Sequence, residues 1–122
     1  MENILLPADQ RKIYLAGEPI DFRMSIDSLS ALIKSNKETH LYDGSIYVFY
    51  NKNMDKIKCL FWDTNGFVLY YKRFDREKLK VKKGIKSLRN LNYAQLSALL
   101  YAADPEIPED EKPLKIVKNS AI

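Results

Sequence analysis

SIYVFYNKNMDKIKCLFWDTNGFVLYYKRF, residues 45–74, is the stretch whose reading decides the fold. Three runs rich in Ile, Val, Tyr, Phe and Trp (45–50, 56–63 and 67–74) are separated by NKNMD and by TNG, short polar stretches too small to hold a helix. This pattern predicts a three-stranded antiparallel meander. Asn65-Gly66 is expected to supply the positive-φ residues of the tight second turn. Along the middle run, Lys56, Lys58, Leu60 and Trp62 share one side, while Ile57, Cys59 and Phe61 share the other. Both sides carry apolar groups, so a helix is expected over one face, with the second face only partly open.

Working outward, residues 11–16 contain Ile13, Tyr14 and Leu15 and predict a short strand, ended by Gly17 and Pro19. Phe22, Ile26, Leu29, Leu32 and Ile33 fall on one side of a 3.6-residue helix with Asp21 placed as its cap, and residues 36–40 read as a loop. A second helix is expected over 92–103, with Tyr93, Leu96, Leu99, Leu100 and Ala103 on one stripe and Asn92 and Gln95 spaced as a capping box. After residue 104 prolines and acids replace the apolar periodicity, which predicts a flexible tail over 105–122. The expected architecture is a single α+β domain, residues 1–104. Its mainly antiparallel sheet of about four strands is packed by two helices.

At 122 residues the chain suits one domain that needs neither disulfides nor a structural metal. The lone Cys59 lies in an apolar run, as a core thiol in a reducing compartment would. No basic leader or long uncharged apolar stretch is visible, so a soluble cytoplasmic protein without a membrane partner is expected. Residues 45–104 hold twelve Lys/Arg against five Asp/Glu, and this excess concentrates the chain's net charge of +4 in its middle. Lys72, Arg73, Arg76, Lys78, Lys80, Lys82, Lys83, Lys86 and Arg89 are opposed only by Asp75 and Glu77. Such a segment attracts phosphates by counterion release, and Tyr70, Tyr71 and Phe74 beside it are candidates to stack on exposed bases. A solvated basic loop flanked by core aromatics is the competing reading.

The residues also resemble a known family. Asp21-Phe22-Arg23 followed by Ile26-Asp27-x-Leu29 is similar to the opening signature of the small accessory proteins of the insertion-sequence sixty-six transposons, the TnpB-type second open reading frame. The blocks GSIYVFYNK (44–52), DKIKxLxWD (55–63) and GFxLxYKR (66–73) follow in that family's order, and LNYAQLxxLL (91–100) resembles its closing helix. Met24 and Phe74 stand where the family usually has lysine and leucine. The resemblance implies a protein that assists an element's transposase and has no established chemistry of its own. DNA and that transposase are then the expected partners; the alternative is an adaptor that touches the transposase through an exposed sheet face without contacting DNA.

Catalytic chemistry finds few candidates. His40 is the single histidine, in a polar loop, so a nucleophilic triad would have to combine it with Cys59. A metal site could draw only on carboxylates, with Asp43, Asp55 and Asp63 at strand ends and Asp21 and Asp27 near the first helix. Gly17, Gly44, Gly66 and Gly84 are isolated and form no phosphate-cradling loop. A non-enzyme without a cofactor is therefore expected. Trp62 reads as a sheet-face anchor and Asp63 as the start of a turn.

Overall fold

Every residue of Ile46–Tyr50 is buried, which requires a strand covered on both faces. The structure is a computed structural model that describes residues 11–82 and 87–105. In chain order the described residues form β1 (Ile13–Leu15), α1 (Ile26–Lys34), β2 (Ile46–Tyr50), β3 (Lys56–Asp63), β4 (Gly66–Arg73), β5 (Arg89–Leu91) and α2 (Tyr93–Leu100). The five strands make one sheet in the order β4-β3-β2-β1-β5. β2, β3 and β4 form the expected antiparallel meander. β1 lies parallel to β2, and β5 closes the far side antiparallel to β1. The parallel pair needs a crossover, which α1 supplies.

The alternation along β3 separates two cores. Ile57, Cys59 and Phe61 join Ile13, Leu15, Ile46, Val48, Tyr50 and Leu91 under α2, which contributes Leu96, Leu99 and Leu100. Leu60 faces the other way, with Tyr47 and Phe49, against Leu29 and Ile33 of α1. Each face therefore has its own helix, where the sequence pattern suggested one partly open face. Each fully buried Leu, Ile or Phe contributes roughly 1.5–3 kcal/mol through apolar burial, so neither layer is dispensable.

Three local expectations are corrected. The first helix starts at Ile26 behind Ser25, not at Phe22 behind Asp21. Lys58, only 6% exposed, donates to the carbonyls of Phe22 at 2.9 Å and Met24 at 2.6 Å. Those oxygens would be the acceptors of a helix continued backwards, so Lys58 draws the segment onto the sheet instead. Asp21 receives the backbone N–H of Arg23 at 2.9 Å and pairs with its guanidinium at 2.6 Å. It holds a turn, and the Arg23 hydrogen bonds lower its carboxyl pKa to about 2. In the β3–β4 hairpin, Asp63 pairs with Gly66, so Thr64 and Asn65 are the turn residues. Positive φ falls on Thr64 at 58° rather than on Asn65 or Gly66. Finally, Tyr93, expected on the buried stripe of α2, is 51% exposed.

α2 is capped as its sequence suggests at the start and unexpectedly at the end. Asn92 Oδ1 accepts from the Gln95 N–H, and Gln95 Oε1 accepts from the Asn92 N–H, both at 2.8 Å. At the other terminus Ala103 N–H bonds Ala98 O at 2.7 Å and Ala102 N–H bonds Leu99 O at 3.1 Å, with Ala102 at φ 58°. That is a Schellman-type ending in which alanine occupies the left-handed position glycine usually takes.

Candidate nucleic-acid interface

Immediately after β4 the chain runs as a strap over the β2–β3 turn. Phe74 N–H bonds Asp55 O at 2.8 Å and Leu79 N–H bonds Met54 O at 2.7 Å. Phe74 and Leu79 are buried in the α2-side core, and Val81 packs against it. The basic stretch is thus fastened by apolar pegs, with charged residues between them turned outward. Of the three aromatics considered for base stacking, Tyr70 and Phe74 pack with this core. Tyr71 is exposed but meets the Phe22 ring edge-on at 6.0 Å.

The lysines of the strap do structural work as well. Lys72 donates to Leu100 O and lies 4.4 Å from the Tyr101 ring centroid, while Lys80 donates to Ala102 O at 3.1 Å. Both satisfy carbonyls at the negative end of α2, where a cation is favoured. Burial lowers the Lys72 pKa, with Glu77 opposing the shift. Lys78 donates to Asn53 O at 3.0 Å, tying the strap to the β2–β3 turn. All three acceptors are neutral carbonyls, which orient an ammonium without cancelling its charge. Among the described residues the strap's one ion pair is Arg76–Asp75, at 3.5 Å and almost fully exposed.

Arg73, Arg76, Lys78, Lys80 and Lys82 are exposed, and Arg89 lies in β5. Lys83 and Lys86, together with the tail beyond residue 105, lie outside the described residues. Sequence reasoning missed two further cations at this end of the sheet. Lys52 is exposed in the β2–β3 turn, and Lys56 sits directly opposite Arg73 across the β3–β4 ladder. Like charges so placed repel, and only the register, invisible in sequence, brings them together.

The carboxylates do not converge. Asp55 and Asp63 flank opposite ends of β3, about 26 Å apart at the usual strand rise. Asp55 accepts from Asn51 Nδ2 at 2.6 Å, and Asp43 accepts from Ser45 N–H at 2.8 Å. Among the described residues no three His, Cys, Asp or Glu side chains gather as a metal site would require. Cys59 is buried, and burial pushes its thiol pKa up. No helix among them is long and apolar enough to cross a membrane.

At the opposite end of the sheet Tyr42, Trp62 and Phe67 form a cluster. Trp62 meets Tyr42 edge-on at 5.1 Å and Phe67 at 5.0 Å. The cluster borders an open cleft of about 510 Å³ that Arg11, Lys12 and Thr64 also line. Arg11 holds this corner by donating to Gly44 O at 2.8 Å, with its guanidinium 5.3 Å from the Phe61 ring centroid.

Residues 11–110 match the protein family described as IS66 Orf2 like protein. The chain belongs to that family. Membership ties this IS66 Orf2-like chain to transposition in an accessory role, as the resemblance of its sequence blocks implied. Two curated relatives come from Sinorhizobium fredii. Uncharacterized protein y4jC is 36% identical over 63 residues, covering 52% of this chain and 54% of that protein. Uncharacterized protein y4hO is 26% identical over 114 residues, covering 92% of this chain and 99% of its own. No solved structure matches.

Proposed function

We propose that this IS66 Orf2-like protein assists transposition without catalysing it, by binding element DNA through the strap end of its sheet. The carrying observation is that Lys72, Lys78 and Lys80 are held by neutral carbonyls rather than by carboxylates. Their charges, with those of Lys52, Arg76 and Lys82, therefore add to one cationic surface. Such a surface attracts phosphates irrespective of base sequence, and its affinity falls steeply with salt. Asp75 and Glu77 are the acids within the strap, and both are exposed to solvent that screens them. The alternative of an adaptor working through an open sheet face has less support, since both faces are lined by core residues.

Fluorescence anisotropy with a labelled duplex, titrated at several salt concentrations, tests this reading. The expected log–log slope is on the order of −4, for four or five phosphates neutralised. Replacing Lys52, Arg76 and Lys82 together by Glu removes binding while the far-ultraviolet circular dichroism stays unchanged. Absence of binding at low salt, or full binding by the triple variant, refutes it.

A further inference from the structure

We propose that β4 pairs antiparallel with β4 of a second copy of this chain, joining two five-stranded sheets across a two-fold axis at Tyr70. β4 is the outer strand of the sheet. Its run Phe67–Val68–Leu69–Tyr70–Tyr71 contains neither the charge nor the proline with which edge strands usually discourage pairing. The hydrogen-bond parity of this edge follows from the hairpin. Phe74 N–H bonds Asp55 O at 2.8 Å, so Lys72, Tyr70 and Val68 likewise aim their backbone groups at β3. Phe67, Leu69, Tyr71 and Arg73 aim theirs away from it, and among the described residues no other strand meets them.

One antiparallel register pairs all four outward residues: Phe67 with Arg73 of the second copy, and Leu69 with its Tyr71, each contact occurring twice. It forms about eight backbone hydrogen bonds. The side chains agree with this register. Arg73 is exposed beside Lys56, a like charge that leaves it in need of a favourable neighbour. The register lays its guanidinium over Phe67 of the second copy, next to that copy's Trp62 and Tyr42, where a cation is attracted to ring faces. Leu69 meets Tyr71, a residue 53% exposed in the single chain. A cation at one end of the edge and an aromatic cluster at the other make the edge complementary to itself, and only in the antiparallel sense. This complementarity selects a second copy over an unrelated strand, and it is independent of the DNA-binding reading.

Trp62 is the chain's one tryptophan and reports the contact directly. Arg73 lies about 20 Å from Trp62 within one chain, six residues along the ladder, so it can affect the indole only across copies. Analytical ultracentrifugation of the full chain is expected to show a monomer–dimer equilibrium, with Trp62 emission changing over the same concentration range. Arg73→Glu weakens the dimer about tenfold or more and abolishes the emission change, leaving the circular dichroism intact. Tyr71→Pro removes an outward N–H without touching the β3 ladder and also yields a monomer. A chain that sediments as a monomer at every concentration overturns the proposal. So does a dimer whose affinity and Trp62 emission are indifferent to Arg73→Glu.

Discussion

Replacing Lys58 by Met separates the lysine's charge from its apolar stem. The stem passes through the α1-side core, and Met reproduces most of its volume. What disappears is an ammonium bonded to Phe22 O at 2.9 Å and Met24 O at 2.6 Å, with the Phe22 and Tyr71 ring centroids 4.7 and 5.5 Å away. A hydrogen bond from a charged donor contributes about 1.5–3 kcal/mol net. Two of them, offset by recovered desolvation and by water reaching the carbonyls of the partly buried Phe22 and Met24, leave an expected loss of about 2–3 kcal/mol. For a domain of this size that lowers Tm by about 10–20 °C, measurable by thermal and urea denaturation followed by circular dichroism. Burial, then the charge of Lys56, lowers the Lys58 pKa from its ordinary 10.5. The unfolded chain therefore holds this proton more tightly than the folded one. Wild-type stability gains as pH rises from the folded value towards 10.5, and the Met variant lacks that gain. Equal or greater stability of Lys58→Met at neutral pH refutes the reasoning, because the cost of burying the ammonium would then exceed what its bonds return.

The remaining expectations concern termini, turns and titration. Thr64→Gly relieves a left-handed, exposed side chain and should stabilise by about 0.5–1 kcal/mol, read as a higher urea midpoint at unchanged m-value; a lower midpoint would contradict the turn assignment. Asn92→Ala breaks the reciprocal cap of α2 and should cost about 1 kcal/mol in the same measurement. Lys72→Met should loosen the end of α2, seen as faster amide exchange at Leu100 to Ala103 than in wild type; equal exchange would make the Leu100 contact inconsequential. Asp21 should titrate near 2 by carboxyl NMR. Its folded pKa is depressed, so its stabilising contribution is complete above the ordinary 3.8 and is lost as pH falls through about 2.

The meander was legible because β2 and most of β3 are buried and, with β4, read as largely apolar runs between polar turns. α2 was legible because its cap and its buried Leu96, Leu99 and Leu100 agree. β5 was hidden by its brevity: three residues, Arg-Asn-Leu, carry no usable period, and only pairing with β1 makes them a strand. The start of α1 was misplaced because Phe22 continues the apolar spacing, while Lys58, 36 residues away, takes the carbonyls a longer helix would use. The basic segment was legible as charge but not as architecture. Nothing local says that Lys72 and Lys80 close the end of α2, or that Phe74 and Leu79 anchor the strap. Lys56 opposite Arg73 is likewise a fact of register alone.

β1 sits between β2 and β5, so the first of the described strands to be synthesised is flanked on one side by the last of them. Until residues 89–91 emerge, the nascent chain keeps Ile13 and Leu15 with only part of their cover, that from β2 and β3, and α2, which seals that layer, comes later still. The domain therefore completes itself late and all together. A message broken before this point yields a polypeptide with an open core, suited to proteolysis rather than to partial activity.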